Sequence, residues 1–330
     1  MKVAVLGYAH VHAPAYAGRL GEVPGVTLAG VYDPDTGVAA SAARSHGVPH
    51  RATLDEAIGS ADAVVIAAPN ADHHDLAVAA LRAGRHVLCE KPLATRLEDA
   101  DAMIAEARAR GAVLATAFPM RFAPPIVAAY RAVRGGGLGR VLALSGANNG
   151  QRPSVPWFSD PRRAGGGAVM DHTVHLADLM RWLLDDEVGE VYAEVGTLLH
   201  DGPIDDVGVL SIRFAGGAVA TIDASWNRPP GYPAWGGLEL RIVAEHDVLD
   251  VDPFAERLTL YGRERAIWVD WGADADRAML EAFVAACRGA SNALARGEDG
   301  RAALAVALMA YESARTGRPV RAEAGGAPRR

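Results

Sequence analysis

Residues 2–12, KVAVLGYAHVH, hold the transition that decides the fold of the first part of the chain. A short apolar run ends at Gly7, and an Ala-rich amphipathic stretch over 12–21 follows the turn. The same order recurs with apolar runs at 26–32, 63–68, 86–89 and 112–116 and helical stretches at 35–46, 71–83 and 96–110. Strands that alternate with helices predict a parallel sheet, and runs that are apolar throughout predict strands covered on both faces.

The pattern changes after residue 120. A helix is predicted over 123–134, a strand over 141–145, and a long helix over 168–184 directly after Gly165, Gly166 and Gly167. Further strands are predicted at 190–199, 207–214, 218–226, 238–244 and 257–261, and helices at 274–288 and 299–316, with a loose tail over 321–330. We therefore expect two domains, over 1–120 and 121–330, the second of α+β type with a mostly antiparallel open sheet.

The composition excludes several classes of protein. The chain has 330 residues, of which 50% are hydrophobic and 22% charged, which is typical of a folded globular protein rather than a disordered one. Its net charge of -7 provides no broad attraction for nucleic acid. Two cysteines do not make a disulfide framework, and no apolar run reaches the roughly 18 residues of a membrane span. We expect a soluble cytoplasmic protein with no nucleic-acid or membrane partner.

The turn over 7–12 lies where a dinucleotide-binding fingerprint belongs, between a strand and a helix. Gly7 provides the tight turn, but Ala9 and His12 replace the second and third glycines, so an ordinary strand-to-helix turn is an equal alternative. Asp33, at the end of the second run, can bond a ribose diol and repels a 2′-phosphate, which favours NAD over NADP. Asp33 can instead belong to the cap of the next helix, and both roles are compatible if Asp35 or Thr36 caps.

Several segments carry a resemblance to a known family. They are AAPN at 67–70 with His73, AGRHVLCEKPLA at 83–94, GGGAVMD at 165–171 with His175, Asp178 and WLL at 182–184, and SARTGRPV at 313–320. Together they resemble the Gfo/Idh/MocA oxidoreductases, the relatives of glucose–fructose oxidoreductase and inositol dehydrogenase. The resemblance implies an α/β Rossmann domain, a second sheet domain that forms a homodimer or homotetramer, and NAD(P)-dependent oxidation of a sugar or cyclic polyol.

The resemblance also implies positions for the coenzyme site, with Asn70 and Glu90 at the nicotinamide ribose. The full predicted set is Gly7, Ala9, His10, Val11, Asp33, Pro69, Asn70, His73, Glu90 and Lys91.

The candidate catalytic residues are Lys91, His175 and Asp171. Lys91 ends a parallel strand before Pro92, which restricts its backbone and allows a cis bond, so its ammonium group can stabilise alkoxide-like charge. Asp171, His175 and Asp178 follow i, i+4, i+7 spacing and share one helix face, where His175 suits a general base that Asp171 orients. The alternatives are a solvated loop lysine, a helix-start aspartate and a core histidine.

Substrate contacts are predicted for Arg121, Asp178 and His172, although a surface position at a helix start explains Arg121 almost as well. A metal site formed by Asp171, His172, His175, His200 and His246 is a minority interpretation, and we expect no metal. Two other functions remain open. One is an eliminating or glycoside-cleaving enzyme that recycles a tightly bound NAD, and the other is a non-catalytic NAD sensor.

Overall fold

The computed structural model describes residues 1–261, 266–270 and 272–322. Its strands are β1 (Lys2–Leu6), β2 (Thr27–Tyr32), β3 (Ala63–Ile66), β4 (His86–Cys89), β5 (Leu114–Thr116), β6 (Val141–Gly150), β7 (Val188–Gly196), β8 (Val207–Phe214), β9 (Val219–Asp223), β10 (Gly236–Ala244), β11 (Val248–Val251), β12 (Arg257–Tyr261), β13 (Ala266–Asp270) and β14 (Val320–Arg321). Its helices are α1 (Ala13–Leu20), α2 (Thr36–His46), α3 (Leu54–Gly59), α4 (His73–Arg82), α5 (Leu97–Arg110), α6 (Pro124–Arg134), α7 (Pro161–Ala164), α8 (Ala168–Leu184), α9 (Ala275–Cys287) and α10 (Gly297–Thr316).

The chain divides into two compact units. The first contains Met1–Phe122, Val155–Gly165 and Asp274–Leu304, and the second contains Ala123–Ser154, Gly166–Ala273 and Ala305–Arg330. The predicted division at 120 and 121 assigns the segments Val155–Gly165 and Asp274–Leu304 to the second domain, whereas both pack with the first unit. The sequence pattern of a helix or loop does not show which distant segment it packs against. A single boundary along the sequence therefore cannot show that a later segment packs with the first unit.

The first unit is built on a five-stranded parallel sheet with the order β2-β1-β3-β4-β5. Strand β3 and the last four residues of β1 are fully buried, which confirms the prediction of a parallel sheet covered on both faces. The strand order reverses between β1 and β3, and this is the place where open α/β sheets bind ligands beyond the carboxyl ends of their strands.

Helix α9 completes the core of the first unit. Met279, Leu280, Phe283 and Val284 join Tyr16 and other buried side chains of the sheet and α1 in one apolar cluster. The chain then runs beside β5, where the Thr116 amide donates to the carbonyl of Ala295. Removing these apolar side chains from water stabilises the unit, by about 1.5–3 kcal/mol for each large one.

The second unit contains a seven-stranded sheet with the order β11-β10-β6-β9-β8-β7-β14. Its neighbouring strands are antiparallel except for the parallel pair β6 and β9, which confirms the predicted mostly antiparallel sheet. Helix α8 packs on β6, and a Cβ at Gly146 would lie 2.8 Å from a Leu176 methyl group. A glycine at this position lets the helix backbone approach the sheet closely.

The sequence analysis misses several short elements. Helix α3 has six residues, yet its N-cap Thr53 accepts from the Glu56 amide, and Glu56 accepts from the amide of Ala52, the residue before the cap. Strands β11, β13 and β14, of two to five residues, are also missed. Arg321 lies in β14 rather than in a loose tail, and residues 323–330 lie outside the described residues.

Candidate active site

The first turn of the first unit depends on Gly7, whose φ is +79°. A Cβ at this position would lie 2.5 Å from the Cβ of Ala68 and 2.7 Å from its Cα, so only glycine lets the turn pass the end of β3. The next amide, of Tyr8, donates to Asp33 Oδ2 at 2.6 Å. The Gly7 turn therefore also anchors the carboxylate at the end of β2.

Several other amide donors of the turn are also engaged by acceptors within the first unit. The His10 amide donates to the carbonyl of Ala67 at 3.0 Å, the Ala13 amide to the carbonyl of His10 at 3.1 Å, and the His12 amide to His10 Nδ1 at 3.3 Å. Pro14, in the first turn of α1, has no amide proton. This turn consequently offers an anion fewer backbone donors than a glycine-rich fingerprint does.

Aromatic side chains from residues 155–165 support the same turn. Trp157 Nε1 donates to the carbonyl of Ala9 at 2.9 Å, and the rings of Trp157 and Phe158 lie 5.8 and 5.5 Å from the ring of His10. His10 is 2% exposed, so its imidazole is part of the packed turn. No local pattern predicts this support, because Trp157 follows Ala9 by 148 residues.

Asp33 and Asp35 divide the two roles that the sequence left open. Asp35 caps α2 by accepting from the amides of Gly37 and Val38. Asp33, which is mostly buried, accepts from the amide of Tyr8 through Oδ2 and from that of Asp35 through Oδ1 at 2.8 Å. The Asp33 carboxylate is thus fixed at the carboxyl end of β2 and is not consumed as the helix cap.

Asn70 and His73 follow β3. Asn70 Nδ2 donates to the carbonyl of Ala164 at 2.8 Å, while its buried Oδ1 has no hydrogen-bond partner among the described residues. The His73 ring is fully buried, with its nitrogens 2.9 Å from the carbonyl of Pro92 and 3.1 Å from that of Ala68. His73 therefore ties the end of β3 to the turn after β4, and burial lowers its pKa.

Glu90 and Lys91 follow β4 and are almost entirely buried. Glu90 Oε1 lies 2.8 Å from His12 Nδ1 and 3.6 Å from His10 Nδ1, and Oε2 accepts from the Lys91 amide at 2.9 Å. Burial opposes ionisation of Glu90, but His10, His12 and Lys91 outweigh it and hold its pKa well below the usual range. The Lys91–Pro92 bond is cis, as the sequence allowed.

These features fit a dinucleotide. Asp33, Asn70 and Glu90 follow β2, β3 and β4 at the carboxyl edge of the sheet, and the buried Asn70 Oδ1 has no donor within the described part of the chain. A ribose hydroxyl or a carboxamide N–H supplies such a donor, and an unsatisfied buried acceptor is otherwise costly. Pro69, Ala9 and Val11 follow β3 and β1 in the chain, and their contacts with the coenzyme stay predictions.

In the second unit, helix α8 starts in a cap made by side chains from distant segments. Asp205 Oδ1 accepts from the Gly167 amide and Oδ2 from the Val169 amide, each at 2.8 Å. The Tyr311 hydroxyl donates to Asp205 at 2.9 Å and accepts from the Met170 amide at 3.1 Å. These contacts fix the first turn of the helix that carries the predicted acid–base residues.

Within the fully described helix α8, His175 is the one partly exposed residue between Ala168 and Arg181. Asp171 accepts from Trp226 Nε1 at 3.2 Å and lies 3.3 Å from His172 Nε2. Asp178 is fully buried. An imidazole that reaches the surface of an otherwise buried helix suits proton exchange, and the orienting role of Asp171 toward His175 stays a prediction.

Comparison with known proteins identifies the family. A family model described as "Oxidoreductase family, NAD-binding Rossmann fold" matches residues 1–118, and the GFO/IDH/MocA C-terminal domain matches residues 126–250. The chain is 31% identical to the 1,5-anhydro-D-fructose reductase of Ensifer adhaerens, over 83% of this chain and 84% of the relative. The chain belongs to the Gfo/Idh/MocA oxidoreductases.

Two further comparisons agree with this assignment. The myo-inositol 2-dehydrogenase of Thermotoga maritima is 30% identical over 83% of each chain. Among solved structures, GenD2 from gentamicin A biosynthesis, in complex with NAD, superposes with a TM-score of 0.90 at 29% identity and covers 98% of this chain and 97% of its own. The predicted family and fold class are thereby confirmed.

Other predicted contacts of this Gfo/Idh/MocA protein are placed differently. Arg121 is not on the surface, because it is 3% exposed, pairs with Asp299 at 3.5 Å and donates to the carbonyl of Ala293. A buried ion pair at this position braces the chain after β5. Contact of Arg121 with substrate stays a prediction, and its observed contacts within the first unit are structural. No helix in the described ranges is long and apolar enough to cross a bilayer.

The five residues considered as a metal site from the sequence do not come together within the described part of the chain. Within the described residues, the side chains that come together with the spacing of metal ligands are His10, His12 and Glu90. His200 instead lies 3.1 Å from Asp206, and His246 is exposed. The five residues of the minority interpretation therefore do not form a metal-ligand cluster among the described residues.

Sequence reasoning missed the residues that hold the predicted ones. Asp205, Tyr311 and Trp226 make hydrogen bonds to α8 from 36 to 141 residues away. A weak signal exists in the Gly-rich start of α8, since Gly167 has no side chain to cap the helix and a Cβ there would lie 1.9 Å from the Asp205 carbonyl. A helix that begins this way needs its cap from elsewhere in the chain.

Proposed function

We propose that this protein is an NAD-dependent dehydrogenase that oxidises a secondary alcohol of a sugar or cyclic polyol. The main support comes from the carboxyl edge of the first sheet. There Asn70, whose Oδ1 has no partner within the described residues, follows β3, and the anchored carboxylates of Asp33 and Glu90 follow β2 and β4 on either side of it. The named activities of the relatives, on anhydrofructose and inositol, support the substrate class.

NAD is favoured over NADP by Asp33. Its carboxylate is fixed at the end of β2 by two backbone amides and cannot turn away from a ribose placed there. A 2′-phosphate would meet like charge, whereas a 2′-hydroxyl can donate to the carboxylate. When bound, the coenzyme supplies the hydride acceptor, and Asn70 and Glu90 are proposed to contact the nicotinamide ribose.

In the proposed reaction, side chains of the protein stabilise negative charge and accept a proton. Lys91, buried at the end of β4, is proposed to place its ammonium group beside the substrate oxygen and stabilise the negative charge that develops there. His175 is proposed to take the hydroxyl proton on an imidazole nitrogen, since it reaches the surface of α8. The carboxylate of Asp171 lies one helical turn before His175 and is proposed to stabilise the imidazolium that forms when His175 takes the proton.

The test is a coenzyme-reduction screen with NAD and NADP against cyclic polyols, aldoses and glycosides, followed by variants. His175→Ala should lower kcat by about 10²–10⁴-fold, which is the usual contribution of a general base. Lys91→Met should lower kcat/KM with NAD still bound. The matched control is His246→Ala, which removes an exposed histidine of the same unit and should leave turnover unchanged.

Three results would overturn the proposal. Unchanged turnover in His175→Ala removes the base assignment. Product formed without net NADH identifies an eliminating enzyme that recycles its coenzyme. Tight NAD binding with no turnover on any member of the panel identifies a sensor.

We further propose a homodimer or homotetramer through the second-unit sheet. One face of β8 and β9 is exposed and mixes apolar with polar side chains, including Val209 at 49% and Val219 at 42% exposure. These two valines lie on the same face as Ser211 and Thr221, which are paired across the strands. Light scattering after gel filtration gives the mass, and a monomer at micromolar concentration would contradict this proposal.

A further inference from the structure

The first turn and the end of β4 bring together two imidazoles and a carboxylate. His10, His12 and Glu90 each present one ligand atom, and the three atoms lie within 4.8 Å of one another. His12 Nδ1 is 2.8 Å and His10 Nδ1 is 3.6 Å from the same oxygen, Glu90 Oε1. All three residues belong to the first unit, and neither imidazole has a part in the proposed reaction.

The donor set has a clear chemical preference. Two imidazole nitrogens and one carboxylate oxygen suit zinc and its neighbours in the first transition series, which bind such atoms at about 2.0–2.2 Å. Magnesium and calcium prefer sets made of oxygen atoms. Two ligands bound to one ion at such distances lie about 3–4 Å apart. Here the two spacings to Glu90 Oε1 are 2.8 and 3.6 Å and all three atoms lie within 4.8 Å of one another, so small side-chain movements would bring them to one ion.

The cluster is also held in place by its surroundings. Glu90 Oε2 accepts the Lys91 amide, which leaves Oε1 to face the histidines. The rings of Trp157 and Phe158 pack on His10 and fix its plane. The His12 side chain is 31% exposed, which provides access from solvent to an otherwise buried group. Orientation of ligands by neighbouring groups is a recurrent property of metal sites.

We propose that His10, His12 and Glu90 form a binding site for one divalent cation of the zinc class. Binding replaces the contact between His12 and Glu90 by bonds from both side chains to the ion, and any proton on the coordinating nitrogens passes to water. The amide of His12 gives up its contact with His10 Nδ1, and three protein ligands leave one position of a tetrahedral ion to water. The neighbouring Lys91 charge opposes the ion, so we expect reversible binding rather than a structural metal.

The site has a consequence that rests on the proposed function. Glu90 is one of the proposed contacts of the nicotinamide ribose, so the cation and the dinucleotide need the same carboxylate. The two should compete, and a bound cation should raise the apparent Kd for NAD. The direct test uses the cation alone, so its result does not depend on whether the chain binds NAD.

The experiment is equilibrium dialysis of the full chain, free of any affinity tag and stripped with a chelator, against Zn²⁺, with Co²⁺ absorption as a second readout. His12→Ala and Glu90→Gln each remove one ligand, and Glu90→Gln keeps the shape of the side chain. The matched control is His74→Ala. His74 also lies 2.7 Å from a carboxylate, that of Asp75, and is also 31% exposed, but it does not belong to the cluster.

The expected result is one equivalent of Zn²⁺ bound by the unaltered chain and by His74→Ala. Loss of one ligand should weaken binding by at least about 100-fold, since even groups that only orient a ligand change affinity 10–100-fold. Co²⁺ should give tetrahedral absorption bands that both ligand variants lose. No binding by the unaltered chain, or equal binding by all four proteins, would overturn the site. Should Glu90→Gln fail to fold, His12→Ala decides alone, because His12 is the exposed member.

Discussion

Removing the hydroxyl group of Tyr311 tests directly whether its hydrogen bonds stabilise the first turn of α8. It accepts from the amides of Gly167 and Met170, each at 3.1 Å, and donates to Asp205 Oδ1 at 2.9 Å. Tyr311→Phe removes this oxygen and keeps the ring, so no large cavity complicates the result. Asp205 still accepts from the amides of Gly167 and Val169, whereas the Met170 amide loses its acceptor.

The magnitude follows from these contacts. Loss of a hydrogen bond to a charged group costs about 1.5–3 kcal/mol, and this range already includes the cost of the buried amide that is left without an acceptor. We therefore expect the free energy of opening the first turn of α8 to fall by about 2–3 kcal/mol. This is roughly a 30- to 150-fold faster exchange of the Met170 amide proton.

The assay is amide hydrogen exchange, read at Gly167 and Met170, with urea unfolding as the global measure. Tyr192→Phe is the matched control, because Tyr192 also donates to a carboxylate, that of Glu194, but at the surface of the same unit. A surface contact of this kind contributes less than about 1 kcal/mol. The reasoning is refuted if the two variants exchange Met170 at the same rate.

Two further predictions concern the first unit. Gly7→Ala should lower the free energy of unfolding of this unit by about 3 kcal/mol in urea unfolding, because the left-handed backbone costs about 1–2 kcal/mol and the overlap with Ala68 accounts for the rest. Gly47→Ala is the control, since Gly47 has a φ of +63° in open space and should show only the backbone cost. His86 Nδ1 accepts from the Val113 amide at 3.0 Å and burial lowers the pKa of His86, so the unfolded chain binds the proton first and stability should fall as the pH drops below about 6.5. His86→Asn, which still accepts from that amide, should lose the part of this dependence that comes from His86, whereas the fully buried His73, whose pKa burial also lowers, keeps its own part. An equal dependence on pH between about 7.5 and 5.5 in the variant and the unaltered chain would assign the whole effect elsewhere.

The parts of the fold that sequence predicted are those encoded locally. Strand β4 and helix α8 match their predicted ranges, because each is a continuous apolar or amphipathic run with a clear end. The residues at strand ends were also predictable, since parallel strands bring their carboxyl ends to one edge of the sheet. Asp33, Asn70 and Glu90 lie at such strand ends, and their contacts with the coenzyme stay predictions.

The parts that sequence did not predict depend on contacts between distant segments. Trp157 supports the first turn and Asp205 caps α8, and neither belongs to the element that it holds. Their residue types carry no local periodicity or cap signal that would identify the partner. Arg121 illustrates the same limit, because its burial comes from Asp299, which lies far along the chain.

The weakest motif in the sequence proves to be the most informative one in the structure. Replacing the third fingerprint glycine by His12 removes the close approach that this glycine normally allows, and the amides of the turn are used to hold His10. The same replacement places an imidazole 2.8 Å from Glu90. A buried carboxylate is costly unless it is paired, and His12 and His10 provide that pairing. The departure from the glycine pattern and the ionised Glu90 are therefore one feature, so a variant that restores glycine at position 12 should leave Glu90 with less compensation for its burial and a higher pKa.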